Sequence, residues 1–167
     1  MSSGSVSTFE DSLDRLEVGW THTSPSELAA VLREVCTDPV VGVELSSETT
    51  PLPSWVNTNP TPAELRAANT GITGVGLAIA DYGSVVVQST PAGTEPVSLF
   101  GDRHVAVLHE SDIVPGMPEA FEWFGEEFRT GHDSAIIATG PSATADMGAL
   151  VTGAHGPKDV HVVILDE

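Results

Sequence analysis

Apolar positions along the chain follow two rhythms, one helical and one strand-like, and the change from the first to the second near residue 70 organises the molecule. Phe9, Leu13 and Leu16 recur at helical spacing behind Ser7 and Glu10, a capping-box pair, which predicts a short amphipathic helix over 7–16. The small polar residues 1–6 ahead of it are expected to be disordered. Ser24, Pro25 and Glu27 carry the marks of N-cap, N1 and N3, and Leu28, Val31, Leu32 and Val35 then share one face of a second helix. Residues 40–45 read as a strand. The Ser-, Thr- and Pro-rich stretch 46–60 reads as a loop anchored by Trp55, and Thr61, Pro62 and Glu64 repeat the capping pattern.

From residue 71 onward short apolar runs rich in β-branched residues dominate, at 75–80, 84–88, 104–109, 135–139 and 160–165. Several lack polar alternation, as expected of strands covered on both faces in a parallel sheet. Asp81-Tyr82-Gly83 instead predicts a tight antiparallel hairpin. A helix is predicted over 117–130, with Phe121, Phe124 and Phe128 in register, and another opening at Ser142. The pattern predicts a single α/β domain, residues 1–167, with a mixed, largely parallel sheet; its informative part runs from 70 to 167.

Charge changes the picture of partners more than that of fold. Asp and Glu number 24 against 6 Lys and Arg, a formal net charge of −18 spread along the chain. Such a field repels phosphate backbones and anionic lipid, which excludes nucleic acid and membrane surfaces as partners. Lys158 is the one lysine, beside five arginines, a composition that resembles proteins of salt-loving archaea, the alternative being an ordinary acidic bacterial protein that happens to lack lysine. Cys36, the single cysteine, cannot form an internal disulfide, a zinc tetrad or a cysteine-ligated iron–sulfur cluster. The opening MSSGSVSTFEDSLDRL has neither a basic nor an apolar leader segment, and no run approaches the roughly 20 apolar residues of a membrane span, so the cytoplasm is the expected compartment.

Chemistry-bearing residues gather in the second half. The run 135–147 takes an apolar strand through Gly140-Pro141 to Ser142, the natural N-cap of the helix predicted there, with Thr144 and Asp146 in its first turn. A helix opening beyond the carboxyl end of a strand offers free N–H groups to an anion, and Ser142 and Thr144 add hydroxyls. Asp146 could hold a substrate hydroxyl or accept a proton; the plainer alternative is that Ser142 only caps and Asp146 only complements the dipole. Gly153-Ala154-His155-Gly156-Pro157-Lys158 specifies a constrained turn that presents His155 as a candidate acid or base and Lys158 as a charge for an anionic ligand; a purely structural turn histidine is the alternative. The glycines 71, 74 and 76 run into β-rich sequence rather than opening a helix, so they are no dinucleotide fingerprint. Thr73 and Asp81 beside them are pocket candidates. Arg103 could neutralise a substrate carboxylate, or pair with Asp102 or Glu110, and His104 could simply pack. No histidine spacing suggests a metal, and no metal site is expected.

The runs GITGVGLAIADYGSVVV, SLFGDRHVAVL, GPSATADM and GAHGPKDVHVVIL, in this order, resemble the LUD-domain family of lactate-utilisation proteins over about residues 70–167. The resemblance departs at Ala143, where a basic residue is common, and at Ser84, where threonine is usual. It implies a three-layer α/β sandwich similar to the ribose-phosphate isomerase and CoA-transferase superfamily. It further implies an accessory role in oxidising L-lactate to pyruvate, with no cofactor in this chain, iron–sulfur clusters in partner subunits, and a small organic acid or anion as ligand. Two other functions stay open: a free-standing enzyme for a phosphorylated or CoA-linked small molecule, and a non-enzymatic regulatory domain.

Overall fold

The computed structural model describes residues 3–45, 50–146, 149–152 and 156–166. Its centre is a five-stranded sheet in the order β1-β11-β6-β3-β2, built from β1 (Gly19–Thr23), β2 (Val40–Gly42), β3 (Thr70–Gly74), β6 (Arg103–His109) and β11 (Asp159–Leu165). Every neighbouring pair in it is parallel, with Asp159 opposite Arg103 and Arg103 opposite Thr70. The antiparallel component separates into a second sheet, ordered β7-β4-β5-β8, of β4 (Leu77–Ile79), β5 (Ser84–Gln88), β7 (Ile113–Val114) and β8 (Ala135–Thr139). Its β4–β5 hairpin turns through a single 3₁₀ turn, Ala80–Tyr82, that ends on Gly83 at φ +65°, a left-handed conformation that favours glycine.

Period-two alternation divides the core between the faces of the central sheet. Ala106, Leu108, Val160, Val162 and Ile164 point one way, against Phe9 and Leu13 of helix α1 (Ser3–Arg15) and against Val85 and Val87 of the second sheet. Ile72, Val105, Val107, Val163 and Leu165 point the other way, onto Leu28 and Leu32 of α2 (Leu28–Val35) and onto Leu52 and Val56 of the following loop. The far face of the second sheet, through Leu77, Ile79 and Val86, is closed by Ala120 and Phe124 of α5 (Met117–Arg129). Helices thus cover both sides of a parallel sheet, the arrangement of a three-layer α/β sandwich.

Local rules hold where they are not overruled. Helix α3 (Pro62–Ala67) carries the full capping box: Thr61 Oγ1 accepts from the Glu64 N–H at 3.2 Å, and the Glu64 carboxylate accepts from the Thr61 N–H at 2.7 Å. The Ser24 pattern does not start its helix. Ser24 to Glu27 form a separate turn, with the Ser24 hydroxyl on the Glu27 carboxylate at 3.3 Å, and α2 begins at Leu28. Residues 3–6, expected to be disordered, are the first turn of α1, so Ser7 lies inside that helix. Two elements carry little local signal: the edge strand β1, largely polar, and α4 (Thr94–Phe100), a seven-residue helix containing Pro96 and lacking a capping side chain.

The largest departure follows Ser142. Residues Ala143–Asp146 form strand β9, paired antiparallel with β10 (Ala149–Thr152), Ala143 opposite Thr152 and Asp146 opposite Ala149. Their backbone groups are used in a ladder, and the Ser142 N–H donates to the Pro157 carbonyl at 2.9 Å. No helix opens here, so the dipole end expected to receive an anion does not exist.

Candidate functional site

Strand β8 ends at Thr139, and the chain turns at Gly140, φ +69°, through Pro141 to Ser142. The bond from Ser142 to Pro157 then ties this turn to the one that leads into β11. The two turns pack closely at Gly156, where an added Cβ would come within 3.1 Å of Ser142 Cβ. Between them lies a cavity of about 190 Å³ lined by Gly140, Pro141, Ser142, Gly156 and Pro157, with Ser98 and Leu99 of α4 and His104 of β6. Val87, Ile136, Ala138 and Val160 make its apolar wall. A space of this volume lies below the roughly 300–1,000 Å³ of drug-sized sites and suits a small ligand. Relative to the parallel sheet it sits at the amino ends of β6 and β11, not at the carboxyl ends where open α/β sheets usually bind.

His104 is the buried polar group of this cavity, at 2% exposure. Its Nε2 shares a 2.8 Å hydrogen bond with Oγ1 of the fully buried Thr73 on β3, and its Nδ1 bonds to no other described residue. Burial pushes the imidazole pKa down to about 4, so the ring is neutral at pH 7. Helix α4 can approach this closely only because Gly71 lies beneath it: a Cβ at Gly71 would fall 2.0 Å from the Val97 carbonyl oxygen. Ser98 is itself buried, and its hydroxyl donates to the Glu95 carbonyl at 2.6 Å.

The other expected site residues distribute unevenly. Gly140, Pro141, Ser142 and Gly156 meet at the cavity, and Thr73 reaches it through His104. Thr144 and Asp146 sit on β9, paired with Val151 and Ala149, rather than in a helical first turn. Gly153 and His155 lie outside the described residues. Lys158 is an exposed surface residue whose Nζ lies 3.2 Å from Asp102. Arg103 pairs with Asp159, not with Asp102 or Glu110, and donates to the Val35 carbonyl at the end of α2. Asp81 lines a different hollow against Gly4, Ser5 and Thr8 of α1.

Three further features lie away from the cavity. Gly74 and Gly76 line a separate hollow of about 240 Å³ near the ends of β2 and β3, with Glu44, Gln88 and Thr90. His22 gathers Glu10, Glu110 and Asp166 at 3.2, 3.8 and 3.4 Å, a cluster drawn from α1 and from the ends of three adjacent strands that no sequence spacing reveals. Cys36 is half-buried, and burial pushes its thiol up to about 12, which removes it as a nucleophile at neutral pH.

Ser98, Leu99 and His104 were not assigned to the site from sequence. The signal that bears on them is Gly71: a glycine inside an apolar strand marks close backbone approach, here of the helix that carries two of the three.

A parallel sheet with helices on both sides and a cavity joining a Gly-Pro-Ser turn to a Gly-Pro turn defines an α/β protein of the three-layer sandwich class. The chain belongs to the LUD domain family, which it matches over residues 58–165. It is 38% identical over 104 residues to lactate utilization protein C of Geobacillus sp. (strain WCH70), a match covering 59% of this chain and 43% of that protein. It is 26% identical over 173 residues to lactate utilization protein C of Deinococcus radiodurans, covering 94% of this chain and 77% of that protein. The match therefore spans less than half the length of the Geobacillus relative. A crystal structure of a DUF162 family protein from Deinococcus radiodurans superposes with a TM-score of 0.70 over 99% of both chains, at 23% identity, and shares the fold. No helix among the described residues is long and apolar enough to cross a membrane.

Proposed function

We propose that this chain is an accessory subunit of an iron–sulfur system that oxidises L-lactate to pyruvate, and that it binds a small organic acid or a partner subunit at the cavity edge formed by Gly140-Pro141-Ser142 and Gly156-Pro157. The observation that carries the reading is the convergence of these two turns on one cavity, in a LUD-family chain whose relatives are named lactate utilization protein C. With one cysteine the chain offers too few thiolates for a cluster, so electrons would pass through partner subunits. His155 and Asp146, adjacent in sequence to the two turns, are the proposed proton-handling residues, and the cytoplasm is the proposed setting. The −18 charge is proposed as adaptation to molar salt, which at 1 M shortens the screening length to about 3 Å and damps carboxylate repulsion.

Purification of the tagged protein in multimolar salt tests the reading. Co-purification with cysteine-rich iron–sulfur subunits, and loss of growth on lactate when the gene is deleted, are the expected results. Absence of both would remove it. A free-standing enzyme for phosphorylated or CoA-linked substrates fits less well. The described residues lining the cavity include no cation, Lys158 and Arg103 lying outside it beside Asp102 and Asp159, which weighs more against a doubly charged phosphate than against a single carboxylate. Thermal shifts with lactate, sugar phosphates and CoA esters, repeated on Ser142→Ala and His155→Ala, separate the two. A phosphate-bearing ligand that stabilises the protein only with Ser142 and His155 intact would reverse the preference. A regulatory domain without a ligand predicts no shift from any of them.

A further inference from the structure

His104 was expected only to pack, yet it is the one titratable side chain among the described cavity residues, and its bonding assigns it a direction. Thr73 Oγ1 is fully buried, and its hydroxyl has a single hydrogen bond, to His104 Nε2 at 2.8 Å. A buried hydroxyl proton without an acceptor is costly, and Nε2 is the acceptor within reach. With the hydroxyl as donor, Nε2 is the unprotonated nitrogen of a neutral ring, the roles in this pair following the tautomer. The ring proton then resides on Nδ1, which no other described residue accepts.

We infer that the His104 Nδ1–H is a specificity-determining donor for the carbonyl oxygen of a small ketone-bearing ligand, and that Thr73 is the positioning residue that fixes its tautomer. This rests on the proposed site and names the chemistry that the site selects. The buried end of the ligand is uncharged: the walls are Val87, Leu99, Ile136, Ala138 and Val160, and the described lining holds no cation to neutralise a carboxylate. A cavity of about 190 Å³ admits a compound of the size of a short 2-oxo acid. Its carboxylate stays at the rim, by Ser142 and Gly156, while the keto oxygen meets Nδ1.

The test uses the whole chain at high salt with pyruvate, methyl pyruvate and hydroxyacetone as carbonyl probes and propionate as the control that lacks a keto group. Nitrogen NMR of the imidazole is expected to show Nδ1 protonated and Nε2 bare, with the Nδ1 signal moving on addition of the carbonyl probes but not of propionate. An Asn side chain can place its amide nitrogen near the Nδ1 position and a Gln side chain near Nε2. His104→Asn is therefore expected to keep more pyruvate affinity than His104→Gln, which weakens it by at least about tenfold, the loss of one hydrogen bond. Thr73→Val is expected to mix the tautomers and Thr73→Ser to preserve the wild-type one, a readout that a merely structural threonine would not move.

A wild-type ring protonated on Nε2, or propionate binding as well as pyruvate, overturns the inference. If iron–sulfur subunits co-purify while no carbonyl probe moves His104, the inference fails and the accessory-subunit reading stands. If the probes bind through His104 and no such subunit is captured, the inference is supported and that reading fails.

Discussion

Lowering the pH should destabilise this protein through His104, by an amount the structure allows to be worked out. The ring is buried with no charged partner among the described residues, and burial lowers its pKa from 6.5 to about 4. In the unfolded chain the same ring takes up a proton near pH 6.5, so between that value and about 4 the unfolded state binds the proton that the native state refuses. Stability from this group is therefore fully present above pH 7 and is lost as the pH falls through the window. At about 1.36 kcal/mol per unit, the 2.5-unit gap amounts to about 3 kcal/mol in full, of which about 2 kcal/mol is gone by pH 5. Other groups contribute slopes of their own: His161 is also lowered by burial, while Asp112 is raised by it and acts in the opposite sense. The comparison that isolates His104 is wild type against His104→Gln, by denaturant unfolding at pH 5, 6, 7 and 8 in constant high salt. The wild type should lose about 2 kcal/mol more than the variant between pH 8 and pH 5. Parallel pH profiles, or a His104 ring that titrates near its ordinary value in the folded protein, would refute the reasoning.

The remaining predictions concern the frame of the site. Gly71→Ala places a methyl 2.0 Å from the Val97 carbonyl oxygen, so α4 must move; a cost on the order of 3 kcal/mol is expected by denaturant unfolding, with loss of any ligand shift. Arg103→Ala breaks the pair with Asp159 and the bond to Val35, and should cost about 1 kcal/mol while leaving pyruvate shifts unchanged; a loss of binding would return Arg103 to the site. Thr61→Ala removes the α3 cap and should cost about 1 kcal/mol in the same assay, with Thr61→Ser restoring most of it. Raising salt from about 0.1 M to above 1 M should raise the thermal midpoint, since 24 carboxylates against 6 cations repel least when screened. A flat midpoint would remove the salt-adaptation reading.

Where sequence reading succeeded, the deciding interactions were local. The Thr61–Glu64 box and the hairpin at Gly83 are settled within a few residues and form as the pattern predicts; the helix over Met117–Arg129 forms as well, but of its expected stripe only Phe124 is buried, while Phe121 and Phe128 stay exposed. It failed where distant partners outbid a local signal. Ser142 has the residues of a helix cap, but the backbone after it pairs with Ala149–Thr152, and its own N–H finds Pro157. The apolar runs announced strands without saying which would pair, so one mixed, largely parallel sheet was expected where the chain builds a parallel sheet, a second, mixed one and the two-stranded β9–β10 ladder.

By itself the sequence determined the α/β class, the acidic composition, the family and the two Gly-Pro turns that frame the cavity. Those depend on composition, short-range spacing and motif order, which tertiary contacts do not alter. Only the tertiary structure decided that His104 faces the cavity, that Thr73 holds it, and that Arg103 and Lys158 are spent on Asp159 and Asp102. Burial and hydrogen-bond partners belong to residues far apart in the chain: Thr73 and His104 meet because β3 and β6 are neighbours in the sheet, and no spacing along the sequence records that adjacency.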